Sequence, residues 1–157
     1  GDAQIDFAYA RFVLQHIPQA LDVVREVHRV TRSGGRFCAV DSDDGLVIFH
    51  PQEPRVSDLL RDAQTVQAAQ GGDRFIGRKL QGMMGEAGFV NVKTRVLALT
   101  SSELPFQVLF NILLGYKASL LGGAVDVRAL YAELADKVAS GRLMVAAGVF
   151  IVSGEKA

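Results

Sequence analysis

The chain of 157 residues holds one cysteine, four prolines and no tryptophan, and neither sign of charge prevails, with 17 Lys plus Arg against 17 Asp plus Glu. A single thiol, Cys38, makes no disulfide framework and no paired-cysteine metal knuckle. That excludes a stapled secreted scaffold and points to a reducing, cytoplasmic setting. The balanced charge lacks the positive excess that phosphate-backbone binding needs, so nucleic acid is not an expected partner. No basic stretch followed by an apolar segment opens the chain, and no signal peptide is visible. The most apolar region, 104–121, is interrupted by Pro105, Gln107, Asn111, Gly115 and Lys117. A spanning helix needs about 20 predominantly apolar residues, so no membrane span is expected.

Several chemical signatures are missing as well. No GxGxxG follows a strand, and neither GxxxxGK[ST] nor GxSxG occurs, which removes two phosphate cradles and the hydrolase elbow. Gly82, Gly85 and Gly88 form a glycine string, but they fall within or at the end of a helical pattern, where packing and capping account for them. His16, His28 and His50 are too far apart in sequence to share a helix face around zinc, so no metal site is expected. Asp41-Ser42-Asp43-Asp44-Gly45 imitates the start of a calcium loop, yet Gln52 stands where the bidentate Glu belongs. Cys38 reads as a small core residue of a buried strand rather than a nucleophile.

What is present has ordinary globular composition, 49% hydrophobic and 22% charged. One domain of this length can remove about 70% of its unfolded surface from water. Ile5 to Ala10 alternates at period two and reads as a strand. A helix follows, with Pro18 in its first turn and Ile17, Leu21, Val24, Val27 and Val30 near helical spacing; Ser33-Gly34-Gly35 stops it. Arg36 to Asp41 is a second strand, and the helical crossover between them favours parallel pairing, hence an α/β fold. An irregular stretch from Asp43 to Pro51 precedes a helix over 54–70, closed by Gly71-Gly72. Leu80, Met83, Met84 and Ala87 mark a further helix, with Gly88 at a left-handed C-cap. Strands follow over 91–100 and 143–152, separated by a largely apolar helix over 106–121 and another that starts at an Asp126 N-cap.

In open parallel sheets, ligands bind beyond the carboxyl ends of the strands, which selects Ala10, Arg11 and Phe12 after the first strand and Asp41, Ser42 and Asp43 after the second. His16 lies close to that edge. The helix over 106–121 is apolar around most of its circumference, with Phe106 and Phe110 on one side; it is either deeply buried or lines an apolar substrate pocket or an oligomer contact.

These residues carry a resemblance. The run 6–16, with Asp6 in the strand and Leu14-Gln15-His16 downstream, followed by Arg29-Val30-Thr31-Arg32-Ser33-Gly34-Gly35, resembles class I S-adenosylmethionine-dependent methyltransferases of the ubiquinone/menaquinone-methylase type. There the pattern is a strand with Asp, a Leu-x-His, and Arg-Val-Leu-Lys-Pro-Gly-Gly; here Thr31 and Ser33 replace Leu and Pro. Glu86-Ala87-Gly88-Phe89 is similar to the Ala-Gly-Phe before the sixth strand of that family. The likeness is strong to about residue 45 and again over 71–93, and architectural beyond.

The resemblance implies the C-terminal half of a seven-stranded Rossmann-like sheet. Its four strands would be strands four to seven, with the last antiparallel between five and six. The expected segments are a strand-helix-strand unit over 1–45, an insert over 46–76, a helix and strand over 77–100, a helical insert over 101–141 and the final strand over 142–157. The glycine-rich first motif and the acidic residue that holds the cofactor ribose have no counterpart here, so Gly1-Asp2 is expected to mark a truncation point.

The implied activity is methyl transfer from S-adenosylmethionine to a small, apolar or cyclic acceptor by the parent protein. His16 is then the candidate base, Ala10, Arg11 and Phe12 contact the cofactor, and Asp41, Ser42, Phe106 and Phe110 face the acceptor. This chain alone would bind the cofactor weakly or not at all and be inactive. Its first strand, an exposed edge once its neighbour is missing, would pair with a second copy. A non-catalytic dimerising domain with a methyltransferase half-fold is the alternative. The distal half of a nucleotide-dependent oxidoreductase is a third reading, but it leaves the Leu-Gln-His and Ser-Gly-Gly signals unexplained together.

Overall fold

A computed structural model describes residues 3–157; Gly1 and Asp2, where the truncation point was expected, lie outside the described residues. Four strands, β1 (Ile5–Arg11), β2 (Thr31–His50), β3 (Phe89–Thr100) and β4 (Met144–Lys156), form one sheet in the order β1-β2-β4-β3. β1 and β2 run parallel and the other pairings are antiparallel, with the last strand seated between the second and third as expected. Among the described residues no helix is long and apolar enough to cross a membrane.

The chain organises into two compact units, one of residues 3–43, 71–97 and 149–157, the other of residues 44–70 and 98–148.

In the first unit, α1 (Ala20–Val30) and α3 (Leu80–Glu86) cover one face of the sheet. Ala20, Val24, Leu80 and Met84 meet Phe37, Ala39, Phe89 and Val152 in the core. Each large side chain withdrawn there contributes roughly 1.5–3 kcal/mol. Alternation along β2 sends Phe37, Ala39 and Asp41 inward and leaves Cys38 half-buried. Cys38 therefore lies off the core face, contrary to the sequence reading, and burial raises the pKa of its thiol. Along β1 the outward positions are open: Phe7 is 59% and Tyr9 56% exposed.

Three local expectations change. Pro18 sits in a turn before α1 rather than in its first turn, because the chain makes a 3-10 turn over Leu14–His16 first. α1 ends at Val30, and Ser33-Gly34-Gly35 is a bulge within β2 instead of a helix stop: Ile5 pairs with Thr31 and Phe7 with Arg36, so β2 advances five residues while β1 advances two. Gly34 has φ +72°, and a Cβ on Gly35 would lie 2.9 Å from the Ile5 carbonyl oxygen, so the bulge needs glycine. The stretch from Asp43 to His50, expected to be irregular, continues β2. Its acidic residues break the apolar pattern that announces a strand, but Asp43 and Asp44 are 0% and 7% exposed and partnered.

In the second unit, α2 (Pro54–Ala69), with Pro at its first position, and α6 (Val127–Ala139), capped by Asp126 through Arg128 and Ala129 N–H, flank a helical rod. That rod is α4 (Phe106–Phe110), a π-helical turn over Asn111–Gly115, and α5 (Tyr116–Leu120). Leu109, Phe110, Leu113, Leu114 and Ala118 are buried on it, and Lys117 is buried too, its Nζ 2.8 Å from Asp44. Removing one member of such a pair strands a buried charge and costs about 3–5 kcal/mol.

Phe110 is 3% exposed and packs edge-on against Phe106 and Tyr131, which puts it in the core. Phe110→Ala should lower the unfolding free energy by about 3–5 kcal/mol in urea titration, and Phe110→Asp should prevent this unit from folding. A folded, soluble Phe110→Asp protein that differs only in association would place Phe110 at an interface instead.

Candidate functional site

β1 ends in a conformation that L residues rarely adopt. Phe12 has φ +53°, and its N–H donates to the Val40 carbonyl at 2.8 Å, so the chain leaves the sheet through a sharp left-handed step. Strain of this kind, about 1–3 kcal/mol, persists where the surroundings over-determine it and concentrates at functional sites. Ala10 is half-buried before the step, while Arg11 is exposed, its guanidinium 5.8 Å from the Phe12 ring centroid.

The step delivers the 3-10 turn over Leu14–His16 beside β2. Leu14 and Gln15 are buried and His16 is exposed. Gln15 joins the parts: its N–H donates to Asp41 Oδ2 at 3.3 Å, its side-chain oxygen accepts from Ser42 Oγ at 3.3 Å, and its carbonyl accepts from Asp73 N–H at 2.8 Å. Asp41 Oδ1 accepts from Ser42 N–H at 3.1 Å.

Asp41 is 1% exposed, and burial pushes its carboxyl up to about 6, against the hydrogen bonds from Gln15 and Ser42, the nearby Arg74 charge and the Leu14 backbone. The His16 imidazole is held below its ordinary value, first by partial desolvation and then by Arg74. Two proton-accepting groups thus stand at one end of the β1–β2 pair. Only His16 can be reached from solvent; the Asp41 carboxyl is enclosed. An imidazole that is neutral near pH 7 and accessible can take a proton from a ligand, which is what a general base requires.

The structure therefore brings together Ala10, Arg11, Phe12, His16, Asp41 and Ser42, and adds residues that sequence reading passed over. Gln15 was within the quoted Leu-Gln-His run, but nothing in the pattern said that its backbone would bind Asp41. Asp43, selected at the end of the second strand, is paired with Arg78, a partner that the sequence did not indicate. Arg74 lies between two helices in a segment without periodicity and had no signal. Phe106 and Phe110 belong to the second unit. There a cavity of about 380 Å³ is lined by Leu59, Leu121 and Leu130 with Asp58 and Asp62, and neither phenylalanine borders it. Phe106 instead stacks on Tyr131, ring centroids 5.8 Å apart. Among the described residues no group of three His, Cys, Asp or Glu side chains is placed to hold a metal ion.

Comparison with known proteins falls on the same elements. The family model described as a methyltransferase domain matches residues 1–39, the segment from β1 through α1 into β2. The chain superposes on a Bacillus halodurans protein assigned to the methyltransferases with TM-score 0.56 and 16% identity, over 99% of this chain and 65% of that one. Against the YcgJ protein of Bacillus subtilis the TM-score is 0.52 at 16% identity, again over 99% and 65%. The chain has the class I methyltransferase fold. A Haemonchus contortus phosphoethanolamine N-methyltransferase, in complex with S-adenosyl-L-methionine, shares that fold at TM-score 0.51 and 9% identity, over 100% of this chain and 34% of that one. No curated protein matches. This methyltransferase-fold chain spans 65% of the length of the two Bacillus structures.

The raised Asp41 pKa fixes a pH dependence. Its folded value, about 6, exceeds its ordinary 3.8, so the native state binds the proton more tightly and Asp41 destabilises the fold increasingly as pH rises from about 4 to about 6. Asp41→Asn keeps one of the two acceptor oxygens and removes the charge. The variant should gain on the wild type through that window, by on the order of 2–3 kcal/mol at its top, in urea unfolding at a series of pH values. A constant difference between the two proteins from pH 4 to 7 would refute the assignment.

Proposed function

We propose that the protein to which this chain belongs transfers a methyl group from S-adenosylmethionine to a small, apolar or cyclic acceptor, with His16 as general base. The observation that carries the reading is that the methyltransferase-domain match, residues 1–39, covers the strained Phe12 step and the turn bearing His16. When bound, the sulfonium cofactor supplies an electrophilic methyl group for in-line displacement.

The residues present fit its methionine end. Ala10 has no side chain beyond Cβ to block approach to the backbone at the strand end, and the left-handed step at Phe12 turns the following backbone away from the sheet. Residues 10–12 are the cofactor contacts in this reading. Asp41 and Ser42 border the acceptor side, Asp41 indirectly, by holding Gln15 and the turn. His16 takes a proton from the acceptor where one must leave. Much of the rate in such a transfer comes from alignment of donor and nucleophile rather than from acid–base help. The chain carries no glycine-rich loop for the rest of the cofactor, so its own affinity is low.

Amide chemical-shift mapping on the 157-residue chain tests this. Millimolar S-adenosylhomocysteine should move the resonances of residues 10–12 and 15–16, with no saturation at micromolar ligand, and NAD at equal concentration should leave them unmoved. Equal shifts with NAD would favour the oxidoreductase reading, and no shift at all would sink the site.

A second reading, a dimerising domain, is favoured by one observation: β1 is an edge strand whose Ile5, Phe7 and Tyr9 are 40%, 59% and 56% exposed. Unpaired edges of this kind recruit further strands. Size-exclusion chromatography with light scattering should give twice the chain mass, and Phe7→Lys with Tyr9→Lys should restore the monomer. A wild-type monomer at high concentration would remove this reading.

A further inference from the structure

The segment leading into α3 forms only a short 3-10 turn of its own, over Gly77–Lys79, so its path depends also on what its polar groups find. Asp73 N–H donates to the Gln15 carbonyl at 2.8 Å, and the Asp73 carboxylate accepts from Phe75 N–H at 2.8 Å and Lys79 Nζ at 2.6 Å. Ile76 is 1% exposed. Gly77 is pressed so close that a Cβ would stand 2.6 Å from the Phe150 ring and 3.0 Å from the Ser42 carbonyl oxygen. Arg78 closes the segment with a fork on Asp43, Nε to Oδ2 at 2.7 Å and Nη2 to Oδ1 at 2.5 Å, and its own N–H adds a third bond at 3.2 Å. Its guanidinium lies 5.2 Å from the Phe75 ring centroid.

One end of this strap is therefore tied to the turn that bears His16 and the other to β2, two residues beyond Asp41. Arg74, 6% exposed, is carried between those ties. We propose that the strap 73–79 is the positioning element of the turn that bears His16 and that the Asp43–Arg78 fork is its latch. A bidentate, charge-assisted pair suits a latch because it fixes direction as well as distance. Asp43 is fully enclosed while half of the Arg78 side chain meets solvent, so the pair is anchored on the strand side and releasable on the strap side.

Arg74 is the charge that acts on His16 and on Asp41. Asp73 and Lys79 pair with each other within the strap, and Arg78 pairs with Asp43. Opening the latch admits solvent to the turn and so relieves the desolvation that comes first among the causes lowering the His16 pKa, which favours the protonated imidazole. This deepens the reading of His16 as a base. It is tested without cofactor or acceptor, so its failure and the failure of the methyl-transfer reading are separate results.

The experiment is NMR titration of His16 in the 157-residue chain, with hydrogen exchange at the Asp73 amide. In the wild type the His16 midpoint should lie below 6.5. The double variant Asp43→Asn with Arg78→Met removes both sides of the latch without leaving a buried charge alone. It should move the His16 midpoint upward and speed Asp73 exchange about tenfold or more, while His28 on α1 keeps its midpoint. Arg78→Lys retains the charge without the fork and should give a smaller shift in the same direction, which keeps the test open should the double variant fail to fold. A folded double variant, or Arg78→Lys, with His16 and Asp73 unchanged would overturn the latch.

Discussion

Three carboxylates within four residues of β2 are withdrawn from water, Asp41, Asp43 and Asp44 being 1%, 0% and 7% exposed. Enclosing a charged carboxylate without partners is among the largest penalties a fold can incur, so the strand can form only where specific groups arrive to meet it. Each acid is met differently. Asp41 takes backbone N–H groups from the 3-10 turn and from Ser42, Asp43 takes the fork and N–H of Arg78, and Asp44 takes the buried Lys117. The partners come from separate stretches of chain, and that is how one strand organises segments distant in sequence. A strand of apolar residues would be easier to bury, but it would not select which turn, strap or helix lies beside it.

The site follows from the first of these meetings. Asp41 draws in the amide of Gln15, Gln15 draws in Asp73 and Ser42, and His16 is left at the rim with its protonation disfavoured. Asp41 and His16 differ in access: the Asp41 carboxyl is enclosed among the hydrogen bonds of the turn, and the His16 side chain is exposed. The strained Phe12 conformation is what lets a strand running into the sheet hand over to a turn running across its end. Methyltransferase-fold proteins align with this chain over nearly all its length, although sequence identity does not exceed 16% in the best superpositions, because the sheet order and the crossover can be kept while most side chains change.

The second unit shows the same logic with a different outcome. On the rod from α4 to α5, Phe110, Leu113 and Lys117 fall on one face, and two of the three are ordinary core residues. Lys117 joins them only because Asp44 is there, at 2.8 Å, to neutralise it. The π-helical turn at Asn111–Gly115 lies one residue before α5 brings Lys117 in. Phe106 and Phe110 of the rod pack ring against ring with Tyr131 of α6.

Periodicity and punctuation along the chain were enough to place β1, α2, α3, α6 and β4 to within a few residues, since alternation, a first-turn proline, an Asp N-cap and a C-terminal glycine act through neighbours in sequence. The α/β class followed from the same local rules, as did the choice of the ends of β1 and β2 as the proposed ligand edge, and the linked motifs of residues 6–35 pointed to the methyltransferase fold. Local rules could not tell that β2 runs on through Asp43 and Asp44, because a buried carboxylate is acceptable only with a partner, and Arg78 and Lys117 lie dozens of residues away. Nor could they distinguish the helix-stopping and strand-bulging roles of Ser33-Gly34-Gly35, which depend on the register against β1. Residue types and short-range spacing decided the elements and the edge where a site is proposed; the pairing of buried charges, a property of chain segments meeting in space, decided which residues stand there together.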